Sequence, residues 1–455
     1  MSATDFKHLL GCPRCDNRIA VNGDRLECGG CKTQFPALDG VPFLFADPGT
    51  ALDEWRGRYH ALIRQLEQET RLADAALRDK DLPESTRTRL ESTRAAKAEY
   101  IDELNSILEP LDATALSASH ETYLALRTRL PSDQGLTTYY ANLHRDWSWG
   151  MQENDESLRL VREGFGGHAP EKILVLGAGG ARLAYDLHRA YPSALTVASD
   201  FNPLLVLAAA KIARGETLNL HEFPIAPRTS QDVARSRELQ APEAAGDNFH
   251  LVLANALRAP FRAATFDTLV TPWLVDILPE SLSEQARRWN RLLAGGGRWI
   301  WFGSHAFRNG KLRDCISLDE SREIIEQSGF SAPEVIEAEI PYMVSPADRL
   351  GRQEQVVVIS AQKIKDLKAP ARHAALPDWL VKSDQPVPAT EAFQREATST
   401  RIYAFVMSMI DGNRSIDDMA QLMEEQQLMP KQEAVSAIRG FLIRMYEDSE
   451  RYSTL

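Results

Sequence analysis

Four cysteines crowd the first 31 residues, as Cys12-Pro13-Arg14-Cys15 and Cys28-Gly29-Gly30-Cys31. Each pair supplies two thiolates to one side of a tetrahedral Zn²⁺, and the glycines permit the tight turn that aims both sulfurs inward. Four thiolates leave no open coordination position, so the expected role of such a metal is to hold a mini-domain together. A second concentration of chemistry begins at the apolar run Lys172 to Leu176, which enters Gly177-Ala178-Gly179-Gly180 and then a helical stretch from Ala181 to Leu187. That is a strand, a glycine turn and a helix. The next strand, Leu195 to Ser199, ends on Asp200, 23 residues after Gly177, where a doubly wound fold places the carboxylate that binds ribose hydroxyls. Arg182 stands where a dinucleotide fingerprint has its third glycine, a pattern suited to a nucleoside with no pyrophosphate to seat on the helix N-terminus.

S-adenosylmethionine is such a nucleoside. Further along come Asn255-Ala256-Leu257-Arg258-Ala259-Pro260-Phe261, then Phe266 to Trp273, then Leu292 to Arg298 leading into Trp299 to Phe302. In this order, with the glycine turn and Asp200, these residues resemble class I S-adenosylmethionine-dependent methyltransferases. The resemblance implies an α/β fold with a Rossmann-like sheet. It also implies that Gly177, Ala178 and Gly179 accept the methionine end, Asp200 the ribose, and Asn255 with the Ala256 N–H the adenine edge. Arg182, Phe201 and Thr271 complete the implied cofactor set.

A more particular resemblance lies on both sides of that core. Arg145-Asp146-Trp147-Ser148, followed by Glu153 and Glu156, resembles an element of the carnosine N-methyltransferase family. Leu274-Val275-Asp276 and the stretch Ile340 to Pro346, leading into Gln355 to Ile359, resemble that family in the same order, across roughly residues 131 to 365. A histidine after the fifth strand helps that family bind an imidazole substrate. This chain has Arg308 there and His305 three residues earlier, a departure that counts against an imidazole acceptor.

Methyl transfer is an in-line displacement by a lone pair, so the protein mainly positions both reactants and excludes water. Ligands of open α/β sheets bind outside the carboxyl ends of the strands, which puts Asp276 within reach of the acceptor. A carboxylate there can hold an N–H and stabilise positive charge developing on a methylated nitrogen; the alternative is that Asp276 caps the following helix. Tyr342 either lines the acceptor pocket or packs against the last hairpin. His305 is a candidate general base or an exposed loop histidine. Trp147 and Trp273 either flank a cation or belong to the core, and the lone Cys315 is expected as a small buried apolar residue.

These residues need elements to hold them. The chain has 455 residues, 44% apolar and 25% charged, with a net charge of -12, a composition of soluble globular domains, about three by length. The acidic balance disfavours nucleic acid as a partner. With no run of 18 apolar residues and no signal-peptide layout at the N-terminus, no membrane association and a cytoplasmic location are expected. The cysteine segment, with Phe35-Pro36 and Asp39-Gly40-Val41-Pro42, resembles zinc ribbons of some methyltransferases and of small methyltransferase activator subunits. Residues 51 to 131 carry apolar positions at helical spacing, such as Leu62, Leu66, Leu72 and Leu77, predicting amphipathic helices with a solvated charged face.

Prolines at 370, 377 and 386 mark a linker. Beyond it, helices are predicted over 401–410 and 432–445, with Ser415 as an N-cap between them. The Asp411 to Ala420 phrase resembles PqqD-like or winged-helix modules, which implies possible peptide binding. The predicted layout is therefore a zinc ribbon (1–48), a helical region (49–130), the methyltransferase domain (131–365), a linker (366–390) and a helical module (391–455). The favoured function is methylation of a nitrogen on a small molecule or short peptide. The rivals are an RNA or translation-factor methyltransferase, and a non-catalytic binding protein of the same fold.

Overall fold

Continuous apolar runs that are buried throughout belong to parallel strands covered by helices on both faces. The computed structural model, which describes residues 3–22, 25–113, 135–307, 312–370 and 386–453, places five parallel strands side by side. They are β1 (Lys172–Leu176), β2 (Leu195–Asp200), β3 (Phe249–Leu253), β4 (Phe266–Pro272) and β5 (Leu293–Gly303), of which β2 is buried throughout and β1 and β4 nearly so. A final hairpin, β6 (Glu334–Tyr342) and β7 (Arg352–Gln362), closes the sheet in the order β3-β2-β1-β4-β5-β7-β6. The first five strands are parallel, and β7 runs antiparallel to both neighbours. The order reverses between β1 and β4, and the crevice outside the strand carboxyl ends at that point is where an open α/β sheet binds ligands.

β5 begins earlier than the sequence suggests, because the Gly295-Gly296-Gly297 stretch is held by backbone pairing. Gly296 N–H donates to the Lys363 carbonyl and Lys363 N–H donates to that of Gly297. The buried Lys363 ammonium caps the Asn290 and Leu293 carbonyls, each at 2.7 Å. Three helices between strands start on side-chain caps: Asn202 before Pro203–Ala213, and capping boxes at Ser281 and Ser317 before Leu282–Leu292 and Leu318–Gln327; Arg182–Ala190, after the glycine turn, has none.

The charged segment forms two long helices, Pro48–Ala76 and Glu84–Ala113, while residues 114–134 lie outside the described residues. Burial is densest where the first helix begins and the second ends: Trp55 and Tyr59 from the first, and Leu104, Ile107 and Leu108 from the second, join a core with Leu204 to Ala208. A hairpin not foreseen from the sequence, Leu218–Glu222 with Arg235–Leu239, precedes β3.

The cysteine segment is a three-stranded antiparallel sheet of Ile19–Asn22, Arg25–Cys28 and Gln34–Phe35. Its apolar residues, among them Leu10, Ile19 and Phe35, share one core with Val252, Ala254 and Phe261, and Phe43 pairs parallel with Leu253 at the sheet edge. Ribbon, helices and sheet thus form one compact unit, Met1–Leu376, and the second unit is Pro377–Leu455. In the second unit Glu391–Ser408, Ile416–Glu425 and Lys431–Ser453 enclose a small core of Val406, Met409, Met419, Met423 and Ile438. Its first helix starts well before Arg401, capped by Thr390, whose hydroxyl accepts from the Phe393 N–H at 3.2 Å. Ser415 and Asp418 form the expected reciprocal cap. Cys315 corrects the expectation of burial: it follows the short turn Leu312–Asp314 and is exposed. Among the described residues, no helix is long and apolar enough to cross a membrane.

Candidate functional site

The four cysteine sulfurs lie within 4.8 Å of one another. Cys12 Sγ is 3.7 Å from Cys31 Sγ and Cys15 Sγ is 3.4 Å from Cys28 Sγ, near the roughly 3.8 Å edge of a tetrahedron with ~2.3 Å metal–sulfur bonds. Burial raises the Cys12 and Cys28 thiol pKa values, and the backbone N–H groups of Arg14 and Cys31, 3.4 Å from Cys12 Sγ and Cys28 Sγ respectively, oppose that rise. The donor set fits a tetrahedral metal with no open position.

The cradle at the switch point is built from backbone. Gly177 and Gly179 have φ of +71° and +55°, a region open to glycine at no steric cost. Gly177 and Ala178 N–H groups donate to the Ser199 carbonyl at 2.9 and 3.1 Å, which locks the turn to the end of β2. Gly179 N–H donates to Asp200 Oδ2 at 2.9 Å and Asn202 N–H to Oδ1 at 3.0 Å. Burial raises the Asp200 pKa, and the N–H donors of Asn202, Gly179 and Phe201 oppose that rise. Phe201 is half-buried with its ring 5.9 Å from that of Trp55, so the helical insert forms a wall beside Asp200. Asn255 and Ala256 follow β3, with Asn255 Oδ1 accepting from Leu257 N–H at 2.9 Å.

The Arg145–Trp149 segment is a π-helical turn that braces the cradle from outside. The Trp147 indole donates to the Gly180 carbonyl at 2.8 Å, and a Cβ at Gly180 would sit 2.5 Å from Asp146 Oδ2. Arg182, expected at the cofactor, instead reaches back: Nε binds the Asp186 carboxylate, Nη1 donates to the Asp146 carbonyl at 2.7 Å, and the guanidinium lies over the Trp147 ring. Arg145 joins Asp146 at 2.6 Å to Glu153 at 2.5 Å, and Glu153 Oε2 accepts from Met343 N–H at 2.7 Å. This buried relay connects the glycine turn to the last hairpin. The residues had been legible as a motif, but the connection had not.

The face beyond β4, where an acceptor is expected, is built from side chains. Asp276 lies in the turn Val275–Ile277 after β4 and is 5% exposed. It does not cap the next helix, a role filled by Ser281. Its Oδ2 accepts from Ser304 Oγ at 2.6 Å and from Ala306 N–H at 3.0 Å. Its Oδ1 is buried with no hydrogen-bond partner among the described residues. Two residues earlier, Leu274 packs on the first glycine, where a Cβ at Gly177 would meet it at 2.9 Å. His305 follows β5, half-buried and stacked on Trp301 at 5.3 Å, with Nε2 at 2.8 Å from Ser321 Oγ. Burial lowers its pKa, and the Asp276 charge opposes that shift.

Tyr342 ends β6 with its ring 4.8 Å from that of Trp273, and the Arg352 guanidinium lies 4.7 Å from its centroid. Trp273 itself takes φ +51° beside Gly303, a costly conformation for a bulky residue and one that concentrates at functional sites. The Trp147 ring is buried against Tyr185 and serves the brace. Thr271 is not brought to the cradle: it is fully buried within β4, and its hydroxyl accepts from the Trp299 indole at 3.0 Å. Arg308 lies outside the described residues. Ser304, which fixes one oxygen of Asp276, carried no motif that could have singled it out.

No family model and no curated protein matches this sequence. Among solved structures the chain is similar to the YcgJ protein from Bacillus subtilis, at 14% identity and TM-score 0.32, over 46% of this chain and 99% of that one. It is similar to a possible histamine N-methyltransferase from Thermotoga maritima, described as S-adenosylmethionine-dependent, at 12% and 0.32, over 50% and 96%. It is also similar to phosphoethanolamine N-methyltransferase 2 from Haemonchus contortus in complex with S-adenosylmethionine, at 12% and 0.33, over 55% and 61%. These scores carry no argument about activity. The architecture rests on the strand order and the glycine turn described above.

Proposed function

We propose that this protein is an S-adenosylmethionine-dependent methyltransferase acting on a nitrogen of a small molecule or short peptide, with zinc in its four-cysteine site as a structural metal. S-adenosylmethionine, when bound, supplies the electrophilic methyl group. The Gly177–Gly179 turn would hold its methionine end, Asp200 the ribose hydroxyls, and Asn255 with the Ala256 N–H the adenine edge. Leu274, Trp273 and Tyr342 exclude water from the acceptor side, where exclusion strengthens every polar contact.

The observation that carries the assignment is Asp276 Oδ1. A buried carboxylate oxygen with no partner among the described residues is costly unless a ligand satisfies it. Its partner oxygen is fixed by Ser304 and Ala306, so the free oxygen is pre-organised to accept an acceptor N–H and to stabilise positive charge on the methylated nitrogen. His305, kept neutral at physiological pH by its lowered pKa, can take the proton released. The test is a methyl-acceptance screen of small amines and short peptides with the intact protein. Asp276→Asn is expected to lower turnover of any acceptor found by about 10²- to 10³-fold while leaving cofactor affinity within about threefold, since the carboxylate acts only on the acceptor side. Equal losses in turnover and cofactor affinity would remove Asp276 from that role.

A further inference from the structure

The segment Leu253 to Arg262, which carries Asn255 and Ala256, owes much of its position to the cysteine ribbon. Before it, Leu44 N–H donates to the Leu253 carbonyl at 2.7 Å. After it, Gly11 N–H donates to the Pro260 carbonyl at 2.8 Å and Arg262 N–H donates to the Leu9 carbonyl at 2.9 Å, forming the Leu10 to Phe261 bridge. Side chains tighten the same seam. The buried Arg258 sends Nη1 to the Pro13 carbonyl at 3.3 Å, inside the first cysteine knuckle. Arg291 donates to the Phe261 carbonyl at 3.3 Å and to Asp16 Oδ1 at 3.0 Å. At Gly11, beside Cys12, a Cβ would meet Phe261 and Arg262 backbone atoms at 3.1 to 3.2 Å, so the approach is as close as a chain without a side chain allows.

We infer that the metal-held knuckle is the outer wall of the adenine subsite, and that Gly11 and Pro13 are positioning residues that set adenine recognition through the Asn255–Arg262 loop. The inference rests on the proposed S-adenosylmethionine site and adds to it the determinant of base selectivity. The physical chain is short. Four cysteines fix the knuckle only when a metal joins them. The knuckle and the residues leading into it fix the far end of the loop through the Gly11–Pro260 and Leu9–Arg262 backbone hydrogen bonds and the two arginines above. Asn255 Oδ1 is already held by Leu257 N–H, so its Nδ2 donor is left to meet N1 of adenine, a contact that needs the loop in one register. Hypoxanthine, protonated at N1 and bearing a carbonyl at position 6, does not offer the same acceptors.

The experiment uses full-length protein, metal-loaded and metal-stripped, and titrates S-adenosylhomocysteine beside its S-inosyl analogue, with amide hydrogen exchange as a readout independent of activity. In the loaded protein the adenine compound binds at least about tenfold tighter, as expected where a site hydrogen-bonds a base edge. Metal removal is expected to collapse that ratio toward one and to deprotect the amides of Leu257, Arg258 and Arg262, while Gly179 stays protected. Gly11→Ala, which keeps all four cysteines, is expected to lower the ratio in the same direction with its metal content unchanged. Loop amides that remain protected without metal overturn the inference, as does a Gly11→Ala protein with the wild-type ratio. Should stripping expose Gly179 as well, the Gly11→Ala ratio decides. Failure of the loaded protein to bind S-adenosylhomocysteine would instead sink the proposed cofactor site, while protection of the loop by metal is still read from exchange.

Discussion

The proposed cofactor cradle and the proposed acceptor face lie at the ends of neighbouring strands and are built by opposite means. In the cradle both oxygens of Asp200 are met by backbone N–H groups, from Gly179 and Asn202, and the glycine turn is tied to β2 through Ser199. On the proposed acceptor face one oxygen of Asp276 is held by Ser304 and Ala306 and the other has no partner among the described residues, while the Trp273 ring packs on that of Tyr342. A satisfied backbone site is rigid and tolerates little change in its ligand. A side-chain site with one unused hydrogen-bond acceptor can be retuned by changing a few residues, so under the proposed function the acceptor's identity is set there and the cofactor's is not.

That contrast is most directly broken by Asp276→Asn. The account expects turnover to fall by about 10²- to 10³-fold, the size associated with losing one pre-organised group at developing charge, with S-adenosylhomocysteine affinity nearly unchanged by calorimetry. A large loss of affinity instead would mean that the two sites are not separable. Gly180→Ala strikes the cradle through its brace, because the added methyl would sit 2.5 Å from Asp146 Oδ2 and 3.2 Å from Leu143 Cδ2. Overpacking of this kind costs about 1–3 kcal/mol, read as a lower midpoint in chemical denaturation, and the displaced turn should weaken cofactor binding more than it alters acceptor preference. A variant as stable as the wild type would show that the brace yields.

The smallest effect concerns His144, on the helix that leads into the brace. Burial holds its imidazole down to about 3 against the usual 6.5, and the charge of Arg237 acts in the same direction. Between those values the unfolded chain binds a proton that the folded chain refuses. Stability should therefore be full above pH 6.5 and decline as pH falls toward 3, by at most about 1.4 kcal/mol per pH unit from this residue. His144→Leu should shrink the stability difference between pH 7.5 and 5.5. Some acid sensitivity should persist, because burial also holds His250 down to about 4. An unchanged difference would reassign the acid sensitivity to other groups.

The same contrast explains what could be read from the chain. The strands β1 and β2, the turn at Gly177 and the carboxylate at Asp200 were legible because their chemistry is carried by contiguous residues with a fixed register. The four-cysteine cluster was legible for the same reason. The acceptor face was only partly so: Asp276, His305 and Tyr342 stood out by type and place, but Ser304 on Asp276, Trp273 on Tyr342 and Glu153 on Met343 are contacts between distant elements, set by packing. Arg182 and Thr271 were assigned by position along the chain, and their side chains are engaged by Asp186 and Trp299. The Leu218–Glu222 hairpin escaped notice because only part of each strand is buried, with charged Glu222 held inside by Arg237 and Ser345, so no clean alternation marks it.

The central claim is that the cradle binds S-adenosylmethionine, and the measurement that tests it most directly is calorimetric titration of the metal-loaded protein with S-adenosylhomocysteine, wild type against Asp200→Asn. The account predicts micromolar binding by the wild type and a loss of about 10- to 100-fold in the variant, the worth of about one hydrogen bond to a charged group. A folded, metal-loaded wild type that gives no binding heat and no thermal stabilisation by the ligand would contradict it.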